Sequence, residues 1–135
     1  MLYEVVAVNE TGIEGESYLV DGETYPTSSP MSEAPGTNPE QLMGLSLATC
    51  FNATLHAVLK EREIEPKSRV QVTVQLHQDE VSEEYYFTLD LTAAVADIPL
   101  DEAETIIQAT HKRCPVAKIV GDYKHLTVET VPFEA

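Results

Sequence analysis

Between Glu40 and Lys60 the chain has no Asp, Glu, Lys or Arg, and the run carries Leu42, Met43, Leu45, Leu47, Ala48, Cys50, Phe51, Ala53, Leu55, Ala57 and Val58. Read as a helix, it has too many apolar positions for the single stripe by which a surface helix meets a core. It is therefore expected to be enclosed on most sides and to be the element around which the rest is arranged. Its start is well marked: Asn38 can cap, Pro39 suits the first helical position, and Thr37 with Glu40 fits a capping box. Charge returns at Lys60-Glu61-Arg62-Glu63, and Pro66 closes the element. One chain of 135 residues cannot easily wrap such a helix on all sides, so an intertwined homodimer is expected.

The flanking sequence reads as strands before and after the helix. Leu2–Val8 and Glu16–Val20 are predicted strands joined at Thr11-Gly12-Ile13-Glu14-Gly15; Asp21-Gly22 then turns the chain into a third, Glu23–Thr27. Two prolines and a glycine make 28–36 a loop. Beyond the helix, Arg69–His77 alternates Val70, Val72, Val74 and Leu76 with polar residues, and Tyr85–Val95 alternates likewise, so the two should pair across 79–84. A second helix from about Asp97 and Pro99 should bury Leu100, Ala103, Ile106, Ile107 and Thr110. Pro115 disfavours helix at Cys114, so a kink and a short turn ending at Gly121 follow, then a last strand over 123–131. The order predicts an α+β fold of mainly antiparallel sheets around a long buried central helix, in a single domain spanning 1–135.

Charge narrows the partners. Eight Lys and Arg against twenty-three Asp and Glu give a formal net charge of −15, which repels nucleic acid and anionic membrane surfaces. The first residues show no signal-peptide pattern, and no stretch of eighteen consecutive apolar residues occurs, so a cytoplasmic protein is expected. His56, His77, His111 and His125 are scattered, and His111 with Cys114 makes at most half a zinc site, so no metal is expected. No phosphate-cradling glycine loop points to a nucleotide cofactor.

Two cysteines 64 positions apart carry the chemistry that the residues suggest. Cys50 lies about three turns into its helix, beyond strong influence of the helix N-terminus, and burial would raise its pKa. Cys114 precedes a proline at a helix start and follows Lys112 and Arg113, so local sequence nominates it as the readier thiolate. Two inert buried thiols are the plain alternative.

Gly36-Thr37-Asn38-Pro39-Glu40-Gln41-Leu42, Ala48-Thr49-Cys50-Phe51 and Cys114-Pro115-Val116 resemble the OsmC/Ohr family, the osmotically inducible and organic hydroperoxide resistance proteins. The resemblance implies a thiol-dependent peroxidase of organic hydroperoxides, with Cys50 as the attacking thiol, Cys114 as the resolving one and Glu40 in the site. It also implies an external dithiol reductant, such as dihydrolipoamide. Ten residues of helix, about 15 Å, separate Glu40 from Cys50, so Glu40 is expected to reach a thiol across a dimer, or else only to cap its own helix. One part of the family pattern is missing. An arginine is expected near the turn of the first two strands, held by the glutamate of Asn-Pro-Glu; here that turn reads Gly12-Ile13-Glu14-Gly15, and no Lys or Arg precedes Lys60. A family-like dimer of weak activity, acting as a redox sensor or small-ligand binder, is the alternative.

Overall fold

The computed structural model describes residues 1–134 and divides after Leu42 into two compact units. In the first, β1 (Ala7–Asn9), β2 (Gly15–Leu19) and β3 (Thr24–Thr27) form an antiparallel meander. Strand β1 is shorter than expected. Its register pairs Ala7 with Leu19, the last residue of β2, and the chain then turns through Asp21 at φ 59°, so most of the run Leu2–Val6 extends past any partner. Those residues are exposed, Leu2 and Tyr3 almost completely.

The turn between β1 and β2 is pinned from within. The Asn9 side chain donates to the Gly12 and Glu16 carbonyls and accepts from the Gly12 N–H, while the Thr11 hydroxyl accepts from the Glu16 N–H. After β3 the loop folds back: Ser28 N–H donates to Thr37 O at 2.9 Å and Thr37 N–H to Pro26 O at 2.8 Å. Gly36 makes this return possible. Its φ is 141°, and a Cβ there would lie 2.9 Å from the Thr27 carbonyl carbon. The loop also anchors to the turn, because Ser29 N–H donates to the Glu14 carboxylate at 3.0 Å.

Helix α1 (Pro39–Glu61) starts where the sequence places it. Asn38 Oδ1 accepts from Gln41 N–H at 2.9 Å, an N-cap with proline at the first helical position. The capping partner is Gln41 and not Glu40, because counting from Asn38 puts Gln41 at the third position; the Thr37 hydroxyl meets the Gln41 side chain instead, at 3.0 Å. The far end stops before Pro66. Glu63 turns to φ 58°, its N–H donates to Lys60 O and that of Ile64 to Leu59 O, which satisfies the last carbonyls in a Schellman pattern.

In the second unit β4 (Ser68–Gln78), β5 (Tyr85–Val95) and β6 (Leu126–Thr130) make one sheet in that order, β4/β5 antiparallel and β5/β6 parallel. Helices α2 (Leu100–Arg113) and α3 (Pro115–Val120) supply the crossover that a parallel pair requires. Register sorts the faces. Val72, Leu91 and Val128 stand abreast on the core side, while Thr73, Asp90 and Thr127 line up on the other, where the Thr127 hydroxyl donates to Asp90 at 2.6 Å.

Leu47, Phe51, Leu55, Val58 and Leu59 of α1 are buried with Leu91, Ala93, Ile106 and Ile107 in one cluster. Gly44 faces β4, where a Cβ would lie 3.4 Å from Val74. Removing the Phe51 ring from this cluster would cost about 3–5 kcal/mol. One expectation about burial needs correction, and the enclosure expected for α1 is only partial in a single chain. Helix α1 is enclosed along one face only: Leu42 is 46% and Leu45 65% exposed, with Ser46, Thr49, Ala53 and Ala57 on the same open stripe. One sheet and one helix cover one side of a cylinder. Leu100, expected in the core, is 52% exposed, because it opens α2 beyond the end of β5 and lies at the surface beside Ile98 and Phe133. By length and a mean hydropathy of 1.5 over eighteen residues α1 could cross a bilayer, but Leu47, Phe51 and Leu55 bind it into a protein core.

Candidate active site

Cys50 sits in the middle of α1, half-buried and packed against the core cluster. Its position follows from helical spacing, because Leu47, Phe51 and Leu55 occupy the fully buried face and Cys50 lies at the edge of that face. Its backbone carbonyl accepts from the Thr54 hydroxyl at 2.9 Å.

Cys114 reaches the same cluster from the other side. Helix α2 buries Ala103, Ile106, Ile107 and Thr110 at intervals of three and four, and the Thr110 hydroxyl, fully buried, is satisfied by Ile106 O at 2.9 Å. The next position on that face is Cys114. There the backbone leaves the helix at φ −64°, ψ 119°, as Pro115 demands of its predecessor, and the residue caps both the end of α2 and the start of α3. Cys114 N–H donates to Thr110 O at 2.9 Å, and Cys114 Sγ accepts from Ala117 N–H at 3.4 Å.

The structure therefore brings the two cysteines into one core, where Cys50 influences Cys114. Burial pushes the Cys114 thiol above its ordinary range; the Ala117 N–H pulls it down, and the neighbouring Cys50 side chain pushes it up again. This runs against the activation of Cys114 expected from local sequence. Lys112 and Arg113 precede Cys114 but do not serve it: Lys112 is exposed, and Arg113 is turned to Glu61, with Nη1 to Oε2 at 2.8 Å and Nη2 to Oε1 at 2.9 Å. That fork holds the Glu61 carboxyl below its usual range and raises Arg113 further. Adjacency in sequence carried no geometric information, because a side chain at a helix end can point along the surface while its neighbour points inward.

Glu40 lies in the first turn of α1, within the N-terminal unit, where an acidic side chain complements the helix dipole. In that same unit Gly12, Ile13, Thr27, Asn38, Pro39 and Leu42 line a cavity of about 300 Å³. Ile13, at the turn where a cation was expected, contributes an apolar wall. Of the histidines, His77 and His125 flank the ring of Tyr86 at centroid distances of 5.2 and 4.6 Å. Sequence reading missed the Glu61–Arg113 pair. Its members lie 52 residues apart, so no local spacing could have signalled it.

The model of the OsmC-like protein family matches residues 32–129. A Staphylococcus aureus protein (strain USA300) named organic hydroperoxide resistance protein-like is 33% identical over 120 residues, covering 86% of each chain. A Lactobacillus casei protein, crystallised as a candidate redox protein, superposes with a TM-score of 0.91 at 38% identity, over 100% of this chain and 94% of its own. The organic hydroperoxide resistance protein OhrB of Bacillus subtilis superposes with a TM-score of 0.85 at 26% identity, over 98% and 100%. With the match spanning both cysteine segments and the long helix between strands, the chain belongs to the OsmC-like protein family.

Proposed function

We propose that this protein is a cysteine-based reductase of organic hydroperoxides, with Cys50 attacking and Cys114 resolving. The observation that carries the proposal is the meeting of a half-buried and a fully buried thiol in one core, one within a helix and the other at a helix junction. Cys50 is the thiol that a substrate can reach; Cys114 is sealed. In the first step the Cys50 thiolate attacks the peroxide, the O–O bond breaks, and with one proton the alcohol leaves and Cys50 becomes a sulfenic acid. Oxidation removes the thiolate whose charge raises Cys114. The Ala117 N–H at the start of α3 then favours ionisation of Cys114, which attacks the sulfenic sulfur, expels water and forms the disulfide. An external dithiol, of the dihydrolipoamide kind, reduces that disulfide by two electrons.

The names of the relatives, which concern organic hydroperoxide resistance, support the substrate class. The open stripe of α1 through Leu42, Leu45 and Ala53 supports a homodimer, in which a second copy covers that face and Glu40 approaches the partner's thiol. Free thiols in a reducing compartment fit a cytoplasmic location.

Stopped-flow oxidation with cumene hydroperoxide and with hydrogen peroxide, run on wild type, Cys50→Ser and Cys114→Ser, tests the reading. Cumene hydroperoxide should react faster, Cys114→Ser should consume one equivalent and stall, and Cys50→Ser should be inert. Fast consumption by Cys50→Ser would end the assignment. A second reading rests on Ile13, which stands where the resemblance expects an arginine: the pair then forms a regulatory disulfide slowly, without efficient turnover. A slow wild type that still yields one intramolecular disulfide would select it.

A further inference from the structure

The fork between Arg113 and Glu61 is used by nothing in the steps above, yet it joins the helix that carries Cys50 to the helix that ends at Cys114. Glu61 closes α1, the helix of Cys50, and Arg113 is the residue immediately before Cys114. Both hydrogen bonds are short, and the two-pronged geometry fixes the guanidinium plane against the carboxylate as a single contact could not. It is the only ion pair among the described residues. Around Cys114 the backbone has already left the helical conformation, so the direction of its side chain depends on how the last residue of α2 is held.

We propose that the Glu61–Arg113 pair is a positioning clamp, which sets how Cys114 is presented to Cys50 and thereby how readily the disulfide closes. The clamp rests on the resolving role given to Cys114 above. Both side chains are about half exposed, 47% and 57%, so the pair adds little to global stability, and salt should weaken it. Its effect falls instead on the local geometry of a bond that tolerates only a narrow range of Cα separations and dihedral angles. Closing the disulfide oxidises both thiols, and oxidised dithiothreitol can take up the two electrons and two protons released.

The test is disulfide exchange of the full-length protein with reduced and oxidised dithiothreitol, read by thiol alkylation and mass. E61Q should make the disulfide three- to tenfold less stable, raising its reduction potential by about 15–30 mV. R113K, which keeps charge but loses the fork, should fall between E61Q and wild type. The charge swap E61R with R113E should restore most of the wild-type value, and 1 M NaCl should move wild type toward E61Q. Potentials of E61Q and R113K within twofold of wild type in equilibrium terms would overturn the clamp, as would a shift that the swap leaves uncorrected. Exchange with dithiothreitol needs no peroxide. A wild type inert to hydroperoxides but with a potential that follows Glu61 therefore sinks only the peroxidase reading, whereas normal peroxide turnover with a potential indifferent to Glu61 sinks only the clamp.

Discussion

Cys50 and Cys114 share one side chain and one core but occupy opposite kinds of backbone. Cys50 lies in the uninterrupted middle of a 23-residue helix, whereas Cys114 lies at a junction where one helix ends and another begins. Helix ends ordinarily make thiols reactive, since the unpaired N–H groups stabilise the thiolate, and the Ala117 N–H does act on Cys114 in that sense. Burial outweighs it, and the thiol is pushed up. A cation adjacent in sequence contributes nothing when its own ion pair holds it elsewhere, as Glu61 holds Arg113. Accessibility and desolvation, and not the local run of charges, distinguish the two thiols.

The sharpest way to break that contrast is to remove each sulfur in turn. Cys50→Ser should lower the rate of hydroperoxide consumption about a thousandfold or more, as expected for loss of a nucleophile. Cys114→Ser should leave the first oxidation and abolish the second. Iodoacetamide applied to the folded, reduced wild type should label Cys50 well before Cys114, read by peptide mass. Faster labelling of Cys114 would mean that its burial is not maintained in solution, and the whole ranking would fall.

A smaller effect sharpens the Cys50 side of the comparison. The turn at Gly12-Ile13 carries no cation, and a close opposite charge lowers an ionisable group's pKa by ~1–3 units. Ile13→Arg should therefore raise the thiolate fraction of Cys50 roughly tenfold near neutral pH if this turn occupies the family's arginine position. Alkylation rate against pH and single-turnover kinetics measure it directly. An unchanged profile would show that the turn does not reach a thiol in either copy.

Much of this fold was legible because its signals are local. The Asn38-Pro39 start of α1, the paired alternation of β4 and β5, and the break at Cys114-Pro115 each depend on residues within a few positions of one another. What was not legible depends on partners distant in sequence. The length of β1 was set by where β2 ends, the exposure of Leu100 by where β5 ends, and the single buried face of α1 by how little of a cylinder one sheet and one helix can cover. In the site, pairing of Cys50 with Cys114 was implied by resemblance, while the activation of Cys114 expected from its neighbouring cations is opposed by its burial. Arg113 met Glu61 across 52 residues of sequence, and no periodicity records that.

The smallest expected effect tests the Cys114 side through stability. A thiol whose folded pKa lies above its unfolded value holds its proton in the native state after the unfolded chain has lost it. The native state therefore binds more protons than the unfolded one in that window, and stability must fall as pH rises through it. For Cys114 the stabilising contribution is complete below the ordinary thiol value of 9.0 and is lost as pH climbs from there toward the raised folded value. Tyrosines and lysines titrate in the same range, so the informative quantity is a difference between proteins. Urea unfolding of wild type and Cys114→Ala, compared at pH 7.5 and pH 10, should show wild type losing more stability than the variant between the two values, each unit of pKa elevation being equivalent to about 1.4 kcal/mol at most. Cys50→Ala should recover part of that loss, because the Cys50 side chain is one of the groups raising Cys114. Equal pH slopes in all three proteins would place the Cys114 thiol in contact with water, and burial could no longer be what separates the two cysteines.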